Sequence, residues 1–119
     1  MIDLTTLDTE LRAALSTLEE QSAAVANARA FKASESDQRK QSLHGIQAAL
    51  IIQGDSVAAS EVKARATAAY GSQASNLTSS LIAAEQTIAA NDVAWARFNA
   101  LRELVKAAAA TAATKVAAL

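Results

Sequence analysis

Residues 48–57 read Ala48-Ala49-Leu50-Ile51-Ile52-Gln53-Gly54-Asp55-Ser56-Val57, and this stretch decides the fold. A dense apolar run stops at Gly54, the residue type that most readily ends a helix in a left-handed conformation. Two capping residues, Asp55 and Ser56, follow directly. The chain is expected to reverse here. Working back from the turn, Leu43, Ile46 and Leu50 fall at helical spacing and predict a helix ending near Gln53. Working forward, Val57 and Val62 sit among alanines, and Glu61 with Arg65 forms a favourable i, i+4 pair.

Further out, Leu4, Leu7, Leu11, Ala14 or Leu15, Leu18, Val25 and Ala28 alternate in steps of three and four. This is a seam on one helix face. Asp3 or Thr5 can cap its start, with Asp8 placed three residues after Thr5 as in a capping box. The seam weakens at Gln21 and Ser22. Beyond Phe31, residues 34–42 (SESDQRKQS) hold no apolar side chain and read as a loop or as a fully solvated helical span. The N-cap character of Ser34 and Ser36 favours a break there, against the helical pair Glu35 and Arg39. Tyr70-Gly71-Ser72 predicts another break. Leu77, Leu81, Ile82 and Ile88 restore a stripe as far as Asn91-Asp92, which reads as a cap, a kink or plain helix. The last helix carries Trp95, Phe98, Leu101, Val105, Ala108, Ala112 and Val116 on one face that continues to the C-terminus.

These signals predict an all-α chain: a single domain over residues 1–119, built as an antiparallel bundle of three or four Ala-rich helices. The alternative is one long helical hairpin turning at Gly54, whose arms of about 50 residues would each extend about 75 Å. Alanine fills about a quarter of the sequence, while proline and cysteine are absent. Alanine has the best helix propensity but brings little apolar area, so a few large residues must carry the core. A long arm so lined needs partner chains to cover its seam, and a coiled-coil oligomer is the expectation.

With 11 basic and 12 acidic residues, the chain is not a bulk polyanion binder, and no nucleic-acid partner is indicated. The charges are polarised, however. Asp3, Asp8, Glu10, Glu19 and Glu20 face only Arg12 before residue 28, whereas Arg97, Arg102, Lys106 and Lys115 face only Glu103 from Val93 onward. Such polarity suits helix macrodipoles or contact between acidic and basic segments, within or between chains. Without cysteine there is no disulfide and no zinc site of the Cys-rich kind. The start, Met1-Ile2-Asp3-Leu4-Thr5-Thr6, lacks a basic leader and an apolar core, and residues 48–52 fall far short of the roughly 20 needed for a membrane span. A soluble protein of cytoplasmic origin is expected.

No constellation of reactive groups emerges. His44 is the lone histidine and no Glu-x-x-His motif accompanies it, so no metal site is expected. Glu19 and Glu20 point about 100° apart on a helix and do not converge as an acid/base pair. The serines lack a base and an orienting acid, and Gly45, Gly54 and Gly71 are too far apart to form a phosphate loop. Arg97, Arg102 and Lys106 make a small basic patch that reads as a solvated helix face. Small secreted helical-hairpin proteins with a Trp-x-Gly turn share this length and helicity. Here Trp95 is followed by Ala96 and Arg97 within a helical pattern, so that motif is missing.

The expectation for function is a non-enzymatic structural or assembly protein with no cofactor and no small-molecule substrate. Its partners are proteins, in a homo-oligomer or larger assembly, and a viral or phage particle is one setting that the composition allows. The alternative is a small helical inhibitor or adaptor that lays a helix face on a partner protein. Trp95, Phe98, Leu101 and Val105 are the candidate interface residues. Peripheral membrane attachment fits less well, because the helices are neither basic nor rich in bulky apolar residues.

Overall fold

A computed structural model describes residues 3–118. Among them the chain is all-α: α1 spans Leu4–Ile52, α2 Val57–Ala66 and α3 Ala68–Ala118. The helix count lies within the expected range, but its breaks do not all fall where the sequence suggested. Asp3 caps the start of α1, its carboxylate accepting from the Thr5 backbone N–H and its carbonyl from the Leu7 N–H.

The reversal at Gly54 is present. Gly54 has φ of 107°, its N–H donates to the Ile51 carbonyl at 3.0 Å, and the Asp55 N–H reaches back to Leu50 at 3.2 Å. This pair of bonds is the Schellman pattern, and it satisfies the last carbonyls of α1. Ser56 then caps α2, its hydroxyl accepting from the Ala59 N–H, while Lys63 pairs with Asp55 at 2.9 Å.

The break expected near Ser34 to Ser36 does not occur, and α1 is continuous there. Local pairs hold the helix. The Ser34 hydroxyl donates to the Phe31 carbonyl and accepts from the Gln38 amide, while Glu35 pairs with Arg39 one turn on. Nor is the span fully solvated, since Ser34, Glu35, Gln38, Arg39 and Ser42 are half-buried and Arg39 also donates to the Thr78 hydroxyl. The break expected at Tyr70 to Ser72 falls earlier, at Thr67. Its hydroxyl donates to the Ala64 carbonyl and accepts from the Tyr70 N–H, so one residue ends α2 and caps α3. Asn91 and Asp92 are plain helix.

The chain forms two compact units. The first takes Met1–Val25 and Thr87–Leu119. Its described residues form an antiparallel helix pair, with Leu7, Ala14 and Leu101 at the centre and Leu11, Phe98, Val105 and Ala108 packed against them. Leu18 and Val25 extend the buried row of α1, and the α3 row ends with Ala108. Contrary to the expectation of a face continuous to the C-terminus, Ala112 and Val116 are exposed.

The second unit is Ala26–Gln86. Here α2 lies against the other helices through Ser60 and Ala64, both fully buried, whose small side chains let the helix approach closely. Ala28, Leu43 and Ala84 are also buried. Lys32 pairs with Glu85 across this unit at 3.9 Å.

Candidate interaction surface

In the first unit the buried and half-buried positions of α1 are 7, 11, 14, 18, 21 and 25, and those of α3 are 87, 88, 91, 94, 98, 101, 105 and 108. The α1 row, and the α3 row from 91 on, step by three and four, which is the heptad spacing of a coiled coil. Their register is fixed by a side-chain hydrogen bond at 3.1 Å, from the Asn91 amide to the Gln21 carbonyl oxygen. Asn91 is only 4 % exposed, and this bond satisfies part of an amide that is costly to bury unpaired. The polar pair sits where sequence reading found only a weakened seam and a possible cap.

The candidate interface residues divide. Leu101 is buried in the seam, and Phe98 and Val105 pack against it, so these three belong to the core of the unit. Trp95 lies outside them at 48 % exposure, its ring edge-to-face with Phe98 at 5.8 Å and 89°. Phe98 therefore holds one side of the indole while much of the rest faces outward. Aromatic pairs of this geometry add about 0.5–1.5 kcal/mol beyond area burial, so the indole has a preferred orientation.

In heptad terms Trp95 follows the core position Ala94, and Leu15 follows the core position Ala14, so both occupy position e. In an antiparallel pair the two e rows share one flank and the two g rows the other. Thr17 and Arg97 are g residues, and with Ala13, Ala14 and Ala94 they line an open depression of about 270 Å³. The e flank instead carries Leu15, 44 % exposed, with Trp95, Asp8, Arg102 and Val116. Leu15 was an alternative to Ala14 for the seam; the helix buries the alanine and leaves the leucine on the flank.

In the second unit Ile51, Ile52, Val57 and Val62, near the turn in sequence, are large exposed residues, as is Ile82 on α3. Ile52 is 87 % exposed. A second depression is lined by Gln41, Ser42, Gly45, Ile46, Ala49 and Gln73, without a charged group. His44, Glu19 and Glu20 are exposed, as are Arg97, Arg102 and Lys106. Lys106 pairs with Glu103 at 3.4 Å. Among the described residues no cluster of His, Cys, Asp or Glu could hold a metal ion, and no helix is long and apolar enough to cross a membrane. Comparison with known proteins finds no matching family, curated protein or solved structure.

Proposed function

We propose that this protein is a non-enzymatic assembly component whose helices complete their packing against protein partners, in the first place other copies of itself. The carrying observation is the set of large apolar side chains left exposed along the first unit. Half-exposed Leu15, Trp95 and Leu104 lie beside the seam and Leu4, at 41 % exposure, at its end, on helices whose own core is mostly alanine and leucine. A viral or phage particle is one setting for a protein of this kind.

Sedimentation equilibrium over a wide concentration range tests the proposal. A defined oligomer is expected. A strict monomer at high concentration refutes it and favours a second reading, an adaptor or inhibitor that docks on a foreign protein. The exposed Ile51, Ile52, Val57 and Val62, near the turn in sequence, support that second reading, since exposed β-branched side chains suit an apolar pocket.

A further inference from the structure

Taking the assembly reading as its basis, we propose that a second copy of this chain docks on the e flank of the first unit, pairing Leu15 with the partner's Trp95 and Asp8 with the partner's Arg102. The two helix pairs then form a four-helix bundle about a two-fold axis parallel to the helices.

The geometry begins with the Gln21–Asn91 bond. From that level Leu15 lies six residues back along α1 and Trp95 four residues on along α3, so their heights differ by about 3 Å at 1.5 Å per residue. Asp8 and Arg102, thirteen back and eleven on, differ by the same amount. A two-fold axis parallel to the helices preserves height and exchanges sides. It therefore sets the α1 segment of each copy above the α3 segment of the other, with Leu15 over Trp95 and Asp8 over Arg102. Every contact occurs twice, as an isologous interface requires.

Two observations select a second copy as the occupant. One is charge. In this unit α1 carries Asp3, Asp8, Glu10, Glu19 and Glu20 against Arg12, while α3 carries Arg97, Arg102, Lys106 and Lys115 against Asp92 and Glu103. Of these charges Asp8 and Arg102 lie at e positions; Asp8 pairs with Arg12 one turn on at 3.0 Å, and the proposed axis adds the partner's Arg102 to that pair, whereas stacking α1 on α1 brings Asp8 against a second Asp8. The other is apolar exposure: Leu15 and Trp95 are both about half-exposed at nearly the same height on this flank, so a copy related by the two-fold axis covers both of them twice. The opposite flank has Thr17 and Arg97 at the corresponding level, and its half-exposed leucine, Leu104, lies one heptad further along α3.

The test uses the full chain, with sedimentation equilibrium and the fluorescence of Trp95, which is the sole tryptophan. The emission should shift to the blue as concentration rises and the indole becomes covered. Leu15→Glu should raise the dissociation constant at least tenfold, since a carboxylate is then buried against an indole. Its far-UV circular dichroism should stay native, because Leu15 is already half-exposed. Asp8→Lys and Arg102→Glu should each weaken association roughly five- to tenfold, and the double variant should return to within about threefold of wild type. An Asp8–Arg102 contact within one chain would alter folding stability rather than the association constant, so restoration of affinity reports the contact between copies. Association that is indifferent to Leu15→Glu and to the charge exchange overturns this face while leaving the assembly reading intact. A chain that stays monomeric throughout overturns both.

Discussion

Glycine to alanine should have opposite effects at different positions in this chain. At Gly54 φ is 107°, and a Cβ built there meets no atom within 4 Å. The expected loss is therefore backbone strain alone, about 1–3 kcal/mol for a non-glycine residue held in a sparsely populated conformation. At Gly45 in α1 and Gly71 in α3 the backbone is helical, and an added Cβ again meets nothing within 4 Å. Each should gain about 0.5–1 kcal/mol, the helix propensity difference between the two residues. Urea unfolding followed at 222 nm measures all three at one fixed chain concentration, because self-association would otherwise shift the midpoint. With a slope of about 1–2 kcal/mol per molar urea, Gly54→Ala should lower the midpoint by about 1 M, and the helical variants should raise it by about half as much. The double Gly45→Ala, Gly71→Ala variant should approach the sum if the two sites are independent. A Gly54→Ala variant as stable as wild type would refute the positive-φ turn. A loss at Gly45 would mean that a neighbouring segment closes onto that glycine.

Leu18→Ala should cost about 2–5 kcal/mol, as for other buried leucines, while Leu11→Ala, only half-buried, should cost less; thermal melts compare the two. A loss below about 1 kcal/mol at Leu18 would remove it from the seam. Asn91→Ala leaves the Gln21 amide without its partner and should cost about 1–3 kcal/mol, measurable by urea unfolding, with Gln21→Ala in a double-mutant cycle to isolate the pair. Ser56→Ala removes the hydroxyl that accepts from the Ala59 N–H and should lose about 0.5–2 kcal/mol in the same assay. No change there would mean that water caps α2 equally well.

Much of the local structure was legible because its causes are local. Gly54 followed by Asp55 and Ser56 ends one helix and caps the next through the backbone and side chains of neighbouring residues, and the structure shows those bonds. The spacing of Leu7, Leu11, Leu18 and Val25 likewise marks one face of any helix that they occupy. The predicted break at Ser34 failed because serine is ambiguous. Its hydroxyl can cap a new helix or, as here, donate to a carbonyl one turn back, and the sequence does not reveal the half-buried setting of Glu35 and Arg39. Thr67 was overlooked among alanines, although a threonine hydroxyl is a suitable cap and was the available signal.

The sequence by itself determined that the chain is helical and that it turns at Gly54, since propensity, heptad spacing and caps act within a few residues. Only the tertiary structure decided which side chains lie on the flank. Ala14 or Leu15, and Trp95 or its neighbours, could each have faced the seam, because adjacent heptad positions are nearly equivalent on an isolated helix. Pairing of α1 with α3, held at Gln21 and Asn91, selected Ala14 and Phe98 for the interior and left Leu15 and Trp95 outside. The physical reason is that burial depends on the partner helix, which lies about seventy residues away in sequence.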